Sequence, residues 1–434
     1  MRRTLMLLPA LPVALMIWMA SCQQPNQTPA TAASTAPVAE SSTAASSTPA
    51  STQQGTQGTT VVSNAPAGVS APTFTPPTGI YSADQEVAIA CATEGAEIHF
   101  TRDGSVPTPT SSQYSTPVPV KGNGTKVTIM ALATKAGLTS SAVSEASYII
   151  NYEWQTVGSP GSGVNQLRYP AGIALDADGR VYVADQGNSR IVRMDDMSGS
   201  AWTAFGSLGN GSQQLNQPSG VAVDAQGRIY VADSGNNRLV RVNDMKGSTW
   251  TVFGSAGSGV GQFSRPAAVA VDAQGRILVV DQGNSRIVRM DDMKGTGWTA
   301  LGKRGKKVNQ LKDPAGIALG VDGRIYVADY ANSRIISMTD MDGAHWTALG
   351  SLGDGARELR YPSGIAVDPE GRIFVADMVN NRIISMADMK GTGWDTLDSA
   401  TTQFNHPWAV AVDGSQHIYI TDMLNSRVVR LTMK

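Results

Sequence analysis

Apolar positions in residues 151–434 fall in short runs bounded by Gly, Asn and Asp, and none of them recurs at helical spacing. One unit reads Pro218-Ser-Gly-Val-Ala-Val-Asp224, Gly227-Arg-Ile-Tyr-Val-Ala-Asp233, Asn236-Asn-Arg-Leu-Val-Arg-Val242 and Thr249-Trp-Thr-Val-Phe-Gly254. Such runs predict four short β-strands per unit, joined by tight turns. The unit repeats. Its proline stands at Pro170, Pro218, Pro266, Pro314, Pro362 and Pro407, at intervals of 48 residues and finally 45. Its tryptophan stands at Trp154, Trp202, Trp250, Trp298, Trp346 and Trp394, all 48 apart. Four-stranded units of this length arranged radially make the blades of a propeller. The last unit ends at Arg430-Leu-Thr-Met-Lys434 without a tryptophan run, and a spare one, Tyr152-Glu-Trp-Gln-Thr-Val-Gly158, precedes the first proline. That run is expected to complete the sixth blade and to leave no free sheet edge at the join.

Upstream the pattern changes. Residues 72–150 hold strand-like runs such as Val87-Ala-Ile-Ala90, Ile98-His-Phe-Thr101 and Val127-Thr-Ile-Met-Ala131, separated by Asp103-Gly104 and Gly122-Asn-Gly124. They predict a small β-sandwich. Residues 23–71 form a linker; of the 38 residues from Gln23 to Thr60, 33 are Ser, Thr, Ala, Pro or Gln, and Glu40 is the only charge. So little apolar surface cannot offset chain entropy, and a disordered tether is expected. Residues 1–22 open with Arg2 and Arg3, continue with an apolar run from Leu5 to Ala20, and end at Ser21-Cys22. The run is short for a membrane span.

Three resemblances follow from these residues. Residues 1–22 resemble a bacterial lipoprotein signal, which implies lipidation at Cys22, export, and anchoring at the outer membrane or cell surface. The strings Pro72 to Gly79 and Ile98 to Thr108, with Tyr114, resemble the chitobiase C-terminal-type module, an immunoglobulin-like sandwich that carries no catalytic residues. Pro-x-Gly-[Ile/Val]-Ala-[Val/Leu]-Asp, Gly-Arg-[Ile/Val]-Tyr-Val-Ala-Asp and Asn-x-Arg-Ile-[Val/Ile] resemble NHL repeats across 151–434. The implied fold is all-β: a six-bladed NHL propeller, closed Velcro-fashion by its N-terminal strand, behind the small sandwich.

Charge narrows the chemistry. The chain has 34 basic and 35 acidic residues, a net charge of −1, so it lacks the field that non-specific nucleic-acid binding needs. Its two cysteines cannot build a disulfide framework, and lipidation of Cys22 would leave Cys91 alone. The pairs Asp185/Arg190, Asp233/Arg238, Asp281/Arg286, Asp329/Arg334, Asp377/Arg382 and Asp422/Arg427 each bracket an Asn three residues after the Asp. A catalytic centre needs different groups converging once, so six copies predict a structural turn with an ion pair in every blade. The Gly-x-x-Gly-x-Gly stretches precede strands rather than helices, which removes a phosphate-loop reading. The doubled Asp195-Asp196 and Asp291-Asp292 are at most weak cation sites.

Amidating lyases of similar fold hold zinc with several histidines. This propeller has only His345, His406 and His417, spread over two faces. Gluconolactonase-like propellers need acidic or amide ligands on inner strands, where this chain offers Gly, Ile, Ala and Val. No metal or other cofactor is expected.

What breaks the repeat is more telling. Tyr169, Tyr330, Tyr361, Met378, His406, Trp408 and Met423 fall on loops or strand starts at one face and predict an apolar, aromatic arc over blades four to six. Beside it lies a basic cluster, Lys303, Arg304, Lys306, Lys307 and Lys312. The expected function is a lipid-anchored, monomeric binding module for a protein, peptide or envelope glycan, with no nucleic-acid partner. A metal-dependent lyase or lactonase and a purely structural envelope component are the alternatives.

Overall fold

A computed structural model describes residues 68–122, 124–397 and 403–432. Cys22, where lipidation is expected, and nearly all of the 23–71 linker lie outside the described residues. The described residues begin slightly before the sandwich boundary drawn from composition. Val69 is buried and its N–H donates to the Thr139 carbonyl at 2.9 Å.

The sandwich pairs a three-stranded sheet (Thr73–Thr75, Gln85–Ala90, Val118–Val120) with a five-stranded one. The latter runs Gly79–Tyr81, Ser144–Ile150, Lys126–Thr134, Glu97–Thr101, Ser112–Gln113 in spatial order. Alternate residues of the central strands, among them Val87, Ile129, Tyr148 and Ile150, are fully buried between the sheets. The other faces stay polar, the period-two division expected of packed sheets. Cys91 is a free thiol.

Residues 153–432 form six four-stranded antiparallel sheets, the first five in simple sequential order. Sheet one is Pro170–Leu175, Val181–Asp185, Arg190–Met194 and Thr203–Phe205; sheets two to five repeat it. Sheet six takes Pro407–Val412, His417–Asp422 and Arg427–Thr432 from the C-terminus, and its outer strand, Glu153–Val157, from the other end of the domain. Leu431 pairs there with Trp154. The five other tryptophans stand just ahead of the outer strands rather than within them.

The second strand of each of sheets one to five, such as Val181–Asp185 or Ile373–Asp377, is buried along its whole length. It lies between two neighbouring sheets, which is why its sequence is continuously apolar instead of alternating. Inner strands touch backbone to backbone: a Cβ on Gly172 would lie 2.7 Å from the Ser219 carbonyl oxygen, and one on Gly364 2.6 Å from the Ala409 Cα. Glycine is needed there for space alone.

The hairpins between third and fourth strands are closed by Asp196, Asp244, Asp292, Asp340 and Asp388. Each carboxylate accepts backbone N–H groups further along its turn, as Asp292 does from Lys294 at 2.8 Å and Thr296 at 3.2 Å. These bonds hold all five carboxyls below their ordinary range; Ser198 and Ser200 bring Asp196 from 3.8 down to about 2. A carboxyl depressed in the folded state contributes stability that is complete above its unfolded value and lost as pH falls. The melting temperature should therefore hold above pH 3.8 and drop toward about 2, and Asp196→Asn should reduce that drop. Calorimetry across this range tests it; a pH-independent melt would contradict it.

Candidate functional site

The six repeated Asp–Asn–Arg sets sit where the second strand turns into the third, a turn formed in sheet one by a single 3-10 turn, Gln186–Asn188. Asp185 is fully buried. One of its carboxylate oxygens accepts Asn188 Nδ2 at 2.8 Å and Arg190 Nε at 2.7 Å, and the other accepts the Arg168 backbone N–H at 2.7 Å. Arg190 then donates to the Ser162 carbonyl at 2.6 Å and the Gln166 carbonyl at 2.8 Å. The set thus clamps the Gly-rich loop that leads into its own sheet. The same geometry recurs at Asp329, where Lys312 N–H, Asn332 and Arg334 occupy the carboxylate.

The expected Asp–Arg ion pair is present in all six turns, and the arginines also reach beyond them. Arg238, Arg286 and Arg382 do pair Nε with Asp233, Asp281 and Asp377, at 2.7, 2.7 and 2.8 Å. Each also donates to a lead-in loop, Arg238 to the Asn210 carbonyl at 2.7 Å and Arg286 to the Ser258 carbonyl at 2.7 Å. Arg382 reaches the Asp354 carbonyl at 2.6 Å, and Arg427, beside Asp422, the Gln403 carbonyl at 2.9 Å. Arg286 lies in addition 5.7 Å from the Trp298 ring centre. A guanidinium carries five N–H donors in a fixed fork, so one side chain serves the carboxylate and the loop together. Spacing along the chain shows the Asp partner five residues away but not the carbonyls more than twenty residues upstream. The Gly-rich stretches are the clamped loops.

A second feature escapes sequence reading. The residue before each strand-opening proline has a left-handed backbone: Tyr169 (φ 51°), Gln217 (48°), Arg265 (49°), Asp313 (47°), Tyr361 (57°) and His406 (55°). A non-glycine residue rarely adopts this conformation, and one held there costs of order 1–3 kcal/mol. Bonds from the preceding sheet hold it: Asn237 Oδ1 accepts the Arg265 N–H and Asn381 Oδ1 the His406 N–H, both at 2.8 Å. Six variable side chains are thereby displayed around one face. Gln217, Arg265 and Asp313 belong to this ring and were missed; aligning the residue before each proline would have found them.

On that face the structure brings Tyr330, Tyr361 and Trp408 together from sheets four, five and six. The Tyr330 ring lies 4.9 Å from that of Tyr361, tilted by 38°, and 6.5 Å from that of Trp408, tilted by 46°. Burial, with the nearby Tyr361 and Asp313, pushes the Tyr330 hydroxyl up to about 12, so it stays protonated at neutral pH. Trp408 stands where the other sheets have Ala or Ser, at the lip of the central channel, and its carbonyl accepts Ser363 Oγ at 2.7 Å. His406 is half-buried, its proton affinity lowered by burial, and Nδ1 lies 3.0 Å from Asn405 Oδ1. Tyr169 carries the Arg168 guanidinium 5.8 Å from its ring centre.

Met378 and Met423 depart from the expected arc. They are 7% and 5% exposed, although they open 3-10 turns equivalent to the one that carries Tyr330. They support the surface rather than present it.

The next residue of the turn explains why this half of the face differs. In sheets one to three it is Gly187, Gly235 or Gly283, whose N–H donates to the lead-in loop at 2.8 Å. A Cβ on Gly187 would meet the Arg168 carbonyl oxygen at 2.7 Å. Sheets four to six carry Ala331, Val379 and Leu424, and the same bond lengthens to 3.1, 3.2 and 3.1 Å.

The basic cluster occupies the lead-in loop of sheet four. Lys303, Arg304, Lys306 and Lys307 lie along it with Lys312, which is half-buried. Arg304 pairs with Asp313 at 3.3 Å, whereas the four lysines make no ion pair among the described residues.

The channel itself is a cavity of about 70 Å³ lined by Gly, Ala, Ser and aliphatic residues of the inner strands, with Trp408. That is room for a few waters at most. Among the described residues no three His, Cys, Asp or Glu side chains are grouped to hold a metal ion. On the opposite face His417 bonds Asp413 at 2.7 Å, in the place Arg180 takes beside Asp176, and His345 lies 3.2 Å from Thr339 Oγ1.

Comparison with known proteins agrees with this architecture. The family model for the chitobiase/beta-hexosaminidase C-terminal domain matches residues 76–145, and that for the NHL repeat matches 167–194, 215–241, 263–290, 311–336 and 359–384. The chain therefore carries a chitobiase C-terminal-like domain followed by five recognised NHL repeats on a propeller fold. The sixth sheet is outside those matches, although Asp422, Asn425 and Arg427 repeat the clamp at 2.7–2.8 Å. No curated protein matches the chain. A structural-genomics protein of unknown function from Bacteroides thetaiotaomicron is similar in structure, with a TM-score of 0.52 and 19% identity over 85% of this chain and 98% of its own. A gluconolactonase from Xanthomonas campestris has a TM-score of 0.47 and 19% identity over 62% of this chain and 87% of its own. A streptogramin B lyase has 0.46 and 15% over 65% and 98%. At these identities the likeness is one of fold.

Proposed function

We propose that the six sheets are the blades of a closed propeller which the bacterial cell exports, tethers through Cys22, and uses as a monomeric binding module. The observation that carries this reading is the cluster of Tyr330, Tyr361 and Trp408, at 4.9 and 6.5 Å between rings. It is half-buried, it comes from three successive sheets, and its Trp408 stands where the other five sheets have Ala or Ser. Aromatic side chains of this kind lose little conformational entropy on binding and supply large contact areas. The channel beneath is lined by Gly, Ala, Ser and aliphatic side chains that offer a ligand few polar partners, and this reading places the ligand on the face. A protein, a peptide and an envelope glycan each fit that description.

The full chain should retain a defined envelope component that the Tyr330→Ala/Tyr361→Ala/Trp408→Ala variant does not. Buried interface aromatics are worth about 2 kcal/mol or more each, so affinity should fall at least thirtyfold. Retention from fractionated envelope, identified by mass spectrometry, is the measurement, with the melting temperature as the control on folding. Equal retention by a folded variant would overturn the proposal.

A further inference from the structure

We infer that the ligand of this face is an acidic glycan, its sugar rings on Tyr330, Tyr361 and Trp408 and its anionic groups on the lead-in loop of sheet four. The inference rests on the proposed binding function and adds the ligand's chemistry.

Charge is the first ground. Residues 302–313 hold five cations, Lys303, Arg304, Lys306, Lys307 and Lys312, against the single carboxylate of Asp313. The equivalent loops of the other five sheets never exceed one net charge, and those of sheets two and five have none. The loop therefore presents a local positive field that near-neutrality of the whole chain conceals.

The second ground is preorganisation. The loop backbone is pinned from beneath: Asn332 Nδ2 donates to the Gly305 carbonyl at 2.7 Å, Arg334 to the Lys306 carbonyl at 2.8 Å and the Gln310 carbonyl at 2.9 Å. Lys312 N–H is held by Asp329 at 2.7 Å. These peptide groups are used up, while the lysine ammonium groups have no carboxylate partner among the described residues. A ligand meeting them has no loop to order.

The two patches are also continuous. Ala331, next to Tyr330, donates its N–H to the Lys312 carbonyl at 3.1 Å, and Asp313, which Arg304 pairs, acts on the Tyr330 hydroxyl. The proposed export places this face among envelope glycans rather than nucleic acid. The three rings, drawn from three sheets with centres 4.9 and 6.5 Å apart, offer an apolar surface on which the apolar face of a sugar can rest.

The test compares full-length chain on three probes: polygalacturonate, its fully methyl-esterified form, and single-stranded poly(U). Calorimetric titration in dilute buffer should show polygalacturonate bound at least about tenfold tighter than the ester, with the difference gone at about 1 M salt, where the screening length is about 3 Å. Lys303→Ala/Arg304→Ala/Lys306→Ala/Lys307→Ala should reduce polygalacturonate to the ester's affinity, whereas Tyr330→Ala/Trp408→Ala should weaken both. Unchanged polygalacturonate binding by the lysine-loop variant, equal affinity for the ester, preference for poly(U), or no binding to polygalacturonate would each overturn the inference. Equal affinity for the ester, with binding of both probes still dependent on Trp408, would do so while leaving the proposed function standing. Indifference of every ligand to the aromatic substitutions would remove that function itself.

Discussion

Asp329→Ala should destabilise the protein by about 3–5 kcal/mol, the cost of stranding a buried charge after its partner is removed. Arg334, the charge left behind, has a side chain only 8% exposed, the least exposed of the six repeat arginines. The lost carboxylate holds Arg334 Nε, Asn332 Nδ2 and the Lys312 N–H at once, so three donors lose their acceptor together. Urea unfolding of the variant measures the loss. Asp329→Ala/Arg334→Met should recover part of it, since an apolar side chain of similar length needs no counter-ion. A single variant within about 1 kcal/mol of the parent, roughly what an exposed pair is worth, would show that the clamp contributes little. The same substitution should loosen the basic loop, because its backbone anchors are the groups that lose their partner.

The second large effect lies at the axis. Gly364→Val places a branched side chain where even a Cβ would meet Ala409 Cα at 2.6 Å and the Trp408 carbonyl oxygen at 2.7 Å. Both atoms are backbone and cannot rotate away. Overpacking normally costs about 1–3 kcal/mol, and rigid surroundings put this site at about 3 kcal/mol or more. It should appear as a melting temperature lowered by several degrees in calorimetry. Ala268→Gly is the counterpart: sheet three already accommodates a methyl at this position, and removing it should change stability far less. A Gly364→Val protein that melts like the parent would mean that sheets five and six do not meet as closely as described.

Much of this was legible beforehand, for a definite reason. A repeat multiplies weak signals: one Asp-x-x-Asn-x-Arg string means little, but six at fixed spacing identify a turn with an ion pair. What Arg238, Arg286 and Arg382 do beyond that pair was not legible, because their loop carbonyls are backbone groups that carry no residue signature. Spacing likewise indicated that Trp154 belongs with the last strands of the chain, and Leu431 is its partner. The aromatic cluster was visible as substitutions against the repeat at Tyr330, Tyr361 and Trp408. Met378 and Met423 were misread because periodicity identifies a loop position but not the direction its side chain takes out of a 3-10 turn. The left-handed residues were hidden for the opposite reason. Local preference argues against a left-handed Arg265, and a bond to Asn237 of the neighbouring sheet helps to hold it there.

The outer strand of sheet six carries a consequence for the order of folding. Residues 153–157 are synthesised before any of the five complete sheets, yet they pair with residues 428–432, the last described segment of the chain. Five sheets can assemble from contacts local in sequence, whereas this pair must wait until nearly the whole domain exists and then meet the entropy of its largest loop. Until then Glu153–Val157 is an unpaired edge, and so is Arg427–Thr432 once made. The final step of folding is thus the one most exposed to competition from another copy's strand.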